Sequence, residues 1–113
     1  MRVTLPSGHP AEVAVRSDGA GPAERGLVVI PDIMGLRPLF DDLVADLAAR
    51  YDRSVCAIEP WSDHLDSKLS WRLENVGVLD DDTVLGDAIA AADLLGSPVV
   101  DIIGFCMGGM YTL

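Results

Sequence analysis

The chain is short of aromatic side chains, cysteines and positive charges, and each shortage excludes a class of protein. Aromatics make up 5% of the 113 residues, although 50% of the residues are hydrophobic. Aliphatic side chains must therefore build the core, as they do where parallel strands are buried on both faces. Eight Lys and Arg stand against 18 Asp and Glu, for a formal charge of −10. Such a surface repels phosphate backbones and anionic lipid, so neither nucleic acid nor a membrane is expected as a partner. No apolar run approaches the ~20 residues that cross a bilayer. Met1-Arg2-Val3-Thr4 opens no signal-peptide hydrophobic region, which predicts a cytoplasmic protein. Cys56 and Cys106 form no Cys-x-x-Cys pair, which argues against a thiol redox protein. A disulfide between them is not expected in a reducing compartment. The chain also lacks repeats, low-complexity tracts and an interdomain linker, and its length suits one small domain.

What is present centres on Val99–Tyr111, reading Val-Val-Asp-Ile-Ile-Gly-Phe-Cys-Met-Gly-Gly-Met-Tyr. A β-branched apolar run stops at Gly104, and Cys106 follows between Gly104 and Gly108. This is Gly-x-Cys-x-Gly, the thiol version of the nucleophile elbow. A sharp strand-to-helix turn leaves no room for side chains two positions either side of its centre, and glycines supply that room. The turn presents the sulfur at the start of the next helix, where unpaired N–H groups favour a thiolate. A dinucleotide loop would need glycine where Cys106 stands, and a Walker loop would need Gly-Lys-Ser/Thr; neither is found.

The remaining chain alternates. Val3–Leu5 and Glu12–Arg16 read as short strands joined through a turn-rich loop that holds His9. After a connecting loop at 17–25, Leu27–Ile30 reads as a strand covered on both faces. Pro31-Asp32-Ile33-Met34-Gly35 follows, then a helix from Pro38 with Leu39, Phe40, Leu43, Val44 and Leu47 at apolar spacing. Ser54–Ile58 reads as the next buried strand, with Cys56 in the core. Residues 59–77 read as an irregular loop bordering the ligand crevice, with His64, Lys68 and Arg72 as solvated side chains. Asp80–Thr83 begins a helix that ends at Gly96, with Val84, Leu85, Ala88, Ile89, Ala92 and Leu95 facing inward. The three aspartates there suit a cap and the helix dipole, and no metal site is expected. From Leu27 onward the pattern is that of an α/β protein with a mostly parallel sheet and flanking helices.

The elbow Gly104-Phe105-Cys106-Met107-Gly108-Gly109, together with Pro31-Asp32-Ile33-Met34-Gly35, resembles the dienelactone hydrolase family. That family has the α/β-hydrolase fold and a cysteine nucleophile, and the resemblance runs from about Leu27 to Leu113. It implies a carboxymethylenebutenolidase-like hydrolysis of a small lactone or carboxylic ester through an acyl-enzyme, with no metal or organic cofactor. By position it makes Cys106 the nucleophile, and the backbone N–H groups of Ile33 and Met107 the oxyanion hole. Asp32 stands where the family has a glutamate that contacts the resting thiol, one methylene shorter; a loop carboxylate that caps the following turn is the alternative reading. The acid and histidine of an α/β hydrolase follow the nucleophile in chain order. His9 and His64 both precede Cys106, so neither carries over as the base. The expectation is the N-terminal part, residues 1–113, of a single hydrolase domain truncated after the elbow and inactive by itself. The alternative is a non-catalytic binding module, or a remnant keeping half the fold.

Overall fold

The predicted apolar runs do assemble into one sheet. In a computed structural model of the chain, residues 1–15 and 23–113 are described; Arg16 and the loop segment 17–22 lie outside them. The strands are β1 (Arg2–Thr4), β2 (Pro10–Ala14), β3 (Arg25–Ile30), β4 (Ser54–Ile58) and β5 (Val99–Gly104). The helices are α1 (Pro38–Tyr51), α2 (Leu69–Glu74) and α3 (Asp81–Leu95). Strand order is β1-β2-β4-β3-β5. The sheet is mixed: β4, β3 and β5 run parallel, and β1 and β2 form an antiparallel extension at one side.

Alternation along the strands sorts the core into two layers. Val28, Ile30, Cys56 and Ile58 face α3 and pack with its Val84, Ala88, Ala91 and Leu95. Val29, Val55 and Ala57 face the other way, onto Phe40, Val44 and Ala48 of α1. Pro38 occupies the first turn of α1, where its missing N–H costs nothing, and Asp52 closes that helix in a left-handed conformation. Gly96 ends α3 at φ 65°, a conformation that favours glycine.

Three expectations need correction. Residues 59–77 are not wholly irregular: they hold the six-residue α2 and short 3₁₀ turns at Ser62–His64 and Val76–Val78. Asp80 starts α3 without capping an N–H; its carboxylate instead accepts from Thr83 Oγ1 at 2.6 Å. The inward face of α3 is rotated from the predicted one, leaving Leu85 and Ile89 exposed and burying Asp87. Asp87 turns inward because it has partners there. Ser7 Oγ donates to its Oδ1 at 2.7 Å, and His9 Nδ1 lies 2.7 Å from its Oδ2, tying the β1–β2 turn to α3. Among the described residues β5 is a sheet edge, and its Val99, Ile102 and Ile103 are exposed.

Gly86 lies inside α3, and a Cβ added there would meet nothing within 4 Å. Gly86→Ala is expected to raise stability by about 0.5–1 kcal/mol, because alanine loses less backbone freedom on joining a helix. A urea midpoint that falls instead would show that α3 is not helical at that point.

Candidate active site

The carboxyl ends of β3 and β5 lie side by side, with Ile30 opposite Gly104. Phe105 N–H donates to the Ile30 carbonyl at 3.0 Å, which extends the pairing one residue beyond β5. The backbone then reverses. Cys106 sits at φ 55°, a left-handed conformation that costs a residue with a Cβ roughly 1–2 kcal/mol. Its side chain is exposed.

The flanking glycines are required by contact as well as by pattern. A Cβ on Gly104 would lie 2.3 Å from the Gly108 carbonyl oxygen. One on Gly108 would lie 2.2 Å from the Ile30 oxygen and 2.4 Å from that of Pro31. The turn is therefore packed backbone to backbone across the end of β3. Phe105 braces it from the α1 side, edge-on to Phe40 with ring centroids 5.5 Å apart. The segment after it, Cys106–Thr112, is a 3₁₀ helix rather than the first turns of an α-helix. Met107 is buried in that segment.

Ile33 lies in the loop that leaves β3, two residues after Pro31, whose carbonyl borders Gly108 of the elbow. Among the described residues no acceptor pairs with its N–H, whereas the N–H groups of the next three residues, Met34, Gly35 and Leu36, are all held. Gly35 N–H donates to the Asp32 carbonyl at 3.0 Å, closing a turn. Met34 N–H donates to Asp32 Oδ1 at 3.0 Å. Arg37 grips the same carboxylate with both terminal nitrogens, at 2.7 and 3.0 Å, and also reaches the Gly35 carbonyl. Asp32 is thus occupied in building the loop, and it makes no hydrogen bond to Cys106 among the described residues.

The Arg37 hydrogen bonds, helped by the Met34 N–H, hold the Asp32 carboxyl below the usual aspartate range. A carboxyl whose pKa is lowered on folding adds stability above its unfolded pKa, and that stability is lost as pH falls through the folded one. Wild-type urea midpoints are expected to drop more steeply than those of Asp32→Asn as pH falls below about 4. Parallel curves would show that the fork adds nothing to folding.

Two residues that the sequence reading missed complete the loop. Glu59, at the end of β4, is buried and accepts N–H bonds from Leu36 at 3.1 Å and Trp61 at 3.3 Å. Burial pushes its carboxyl upward, against the pull of those two N–H groups. Gly35, at φ 71°, has no room for a Cβ because Glu59 Oε2 would be 2.3 Å away. Arg72 is no solvated side chain. It is 5% exposed, donates to the Ile33 carbonyl at 3.0 Å, and lies 5.2 Å from the centre of the Trp61 ring. A charged residue directly after the apolar run Val55–Ile58 was the one sequence signal for Glu59.

The histidines are placed elsewhere. His9 is engaged with Asp87, and His64 packs against Trp71 with ring centroids 5.1 Å apart. Cys56 is fully buried, and desolvation pushes its thiol up to about 12. Among the described residues, no group of three or more His, Cys, Asp or Glu is placed to hold a metal ion, and no helix is long and apolar enough to cross a membrane.

A cysteine in left-handed conformation on a turn between glycines, at the carboxyl end of a parallel strand flanked by helices, defines a class. It is the architecture of the α/β hydrolases. No family model and no curated protein matches the chain. Among solved structures, it is similar to the crystal structure named "Putative Dienelactone Hydrolase" from Klebsiella pneumoniae subsp. pneumoniae MGH 78578, with a TM-score of 0.83 and 22% identity. The match covers 96% of this chain and 50% of that one, so the chain spans about half the length of the solved structure. The fold is a partial dienelactone hydrolase fold.

Proposed function

We propose that these residues form the N-terminal half of a cytoplasmic hydrolase domain that cleaves small lactones or carboxylic esters through a Cys106 thioester. The observation that carries this reading is the left-handed, exposed Cys106 between two glycines that admit no Cβ. Strain of that kind persists where the surrounding structure over-determines it, and it gathers at reacting groups.

The chemistry follows from the positions. The Cys106 sulfur attacks the carbonyl carbon, and the C–S bond forms as negative charge moves onto the carbonyl oxygen. The Ile33 N–H, which has no acceptor among the described residues, and the Met107 N–H take that charge. The C=O re-forms as the C–O bond breaks, and the leaving oxygen takes up the proton that the thiol surrendered, departing as the alcohol. Water adds to the thioester, the C–S bond breaks, and the acid departs. The reaction written this way uses no metal or organic cofactor. Activating the water needs a general base, and His9 and His64 are both engaged elsewhere, with Asp87 and Trp71. These 113 residues alone would then acylate and stall.

The test is the stoichiometry of p-nitrophenolate release from p-nitrophenyl acetate. One equivalent per chain followed by little turnover is expected. Release that continues linearly from the start, with no burst, would count against a Cys106 acyl-enzyme.

The exposed Ile102 and Ile103 on β5 favour a second reading, a module that pairs its sheet edge with another chain. Light scattering separates the two: concentration-dependent dimers without a burst would support the module.

A further inference from the structure

Arg72 comes from α2, 39 residues beyond the loop it touches, and its three hydrogen bonds all go to protein atoms. Nε donates to Ser67 Oγ at 2.9 Å, one terminal nitrogen to the Leu65 carbonyl at 3.2 Å, and the other to the Ile33 carbonyl at 3.0 Å. The Trp61 ring, itself fully buried, covers one face of the guanidinium. A buried cation held this way has one orientation, because the planar fork sets where each N–H points.

The Ile33 contact matters because of the peptide it grips. The Ile33–Met34 peptide is held at both ends: Arg72 binds its carbonyl oxygen, and Asp32 Oδ1 accepts its N–H at 3.0 Å. The preceding Asp32–Ile33 peptide, which carries the Ile33 N–H, is held in turn by Gly35 N–H on the Asp32 carbonyl at 3.0 Å. With the planes on both sides of the Ile33 Cα held, φ and ψ are fixed together, and the N–H cannot swing without straining one of these hydrogen bonds. Asp32 itself is held by Arg37, so the clamp is anchored at each end by a guanidinium. Without Arg72, a part-buried carbonyl beside a tight turn loses its donor, and the peptide is free to rotate toward water.

From this geometry we infer that Arg72 is a positioning residue that aims the Ile33 N–H at the developing oxyanion, acting through the Ile33 carbonyl. The inference rests on the hydrolase reading above, since it presumes that Cys106 is acylated. It makes Arg72 neither a substrate ligand nor a proton donor. Its charge stays within the protein, and its effect is confined to reactions that build negative charge on a carbonyl oxygen.

Two reagents separate that role from a general structural one. Acylation of Cys106 by p-nitrophenyl acetate passes through an oxyanion. Alkylation of Cys106 by iodoacetamide is a direct displacement and does not. In the full 113-residue chain, Arg72→Met is expected to slow acylation by about 10- to 100-fold, within the range set by losing a whole oxyanion donor. Its alkylation rate is expected to stay within about twofold of wild type, and Arg72→Lys, which still offers a donor to the carbonyl, is expected to recover part of the acylation rate. Unchanged acylation in Arg72→Met would overturn the inference. So would acylation and alkylation falling in the same proportion, which would make Arg72 a residue that only holds the fold. If the wild type is alkylated at Cys106 but never acylated there, the hydrolase reading itself fails and this inference goes with it.

Discussion

Cys106→Ala is expected to eliminate the p-nitrophenolate burst, leaving release at the buffer rate, while the protein keeps its stability. The reason lies in the backbone. Cys106 is left-handed at φ 55°, and alanine carries the same Cβ, so the strain is equal before and after the change. The cysteine side chain is exposed, so its removal leaves no cavity. Loss of the burst would then be chemical in origin. Cys106→Gly gives the converse result. Glycine adopts positive φ freely, so it is expected to lose the burst and to gain up to about 1 kcal/mol, the strain relieved less the extra freedom of the unfolded chain. A reacting residue whose replacement stabilises the protein carries strain that its chemistry requires. A burst that survives in Cys106→Ala would assign it to another group.

Gly108→Ala is the substitution expected to damage the fold most. The new Cβ would sit 2.2 Å from the Ile30 oxygen and 2.4 Å from the Pro31 oxygen. Both are backbone atoms at the end of a central strand, and neither can swing aside as a side chain would. Relief requires moving the elbow off β3, which breaks the Phe105–Ile30 hydrogen bond and parts the Phe105 and Phe40 rings. A loss of about 3 kcal/mol or more is expected, at the upper end for overpacking, with much of the chain unfolded at room temperature. Gly77→Ala is the control, since a Cβ at Gly77 meets nothing within 4 Å. Equal urea midpoints for the two variants would mean that the elbow does not pack on β3 as described.

The contrast between these glycines explains what was legible in the sequence. The elbow is a local device: Gly104, Cys106 and Gly108 lie within five residues, and the turn's steric demand is written in their spacing. The strands β3 and β4 were equally plain, because fully covered strands read as unbroken apolar runs. The supports of the Ile33 loop were not legible, because their partners are distant in sequence. Glu59 reaches back 23 residues to Leu36, and Arg72 reaches back 39 to Ile33. Arg72 read as a solvated side chain, and Glu59 only as the start of an irregular loop. The same blindness hid Asp87, whose partners Ser7 and His9 lie 80 and 78 residues away. Helical periodicity in α3 counted Leu85 and Ile89 as core because it weighs apolarity alone, and it had no means to value a carboxylate with two partners waiting for it on the β1–β2 turn.

Asp32 shows a subtler limit. The resemblance placed it near the thiol, but the sequence also put Arg37 five residues along, within reach of a fork. Between a bidentate arginine and a contact across the site, the fork is the stronger hydrogen-bonded arrangement. The loop is consequently self-braced: Asp32, Arg37, Glu59 and Arg72 all serve its backbone, and the Ile33 N–H is left without an acceptor among the described residues.

The central claim is that Cys106 forms the acyl-enzyme, and peptide mass mapping after brief exposure to p-nitrophenyl acetate tests it most directly. The chain offers an internal comparison, because Cys56 is fully buried with its thiol pushed up to about 12. The expected result is a single acetyl group on the peptide containing Cys106 and none on the peptide containing Cys56. Acetyl groups on lysines or the N-terminus alone, with Cys106 unmodified yet still open to iodoacetamide, would contradict the claim.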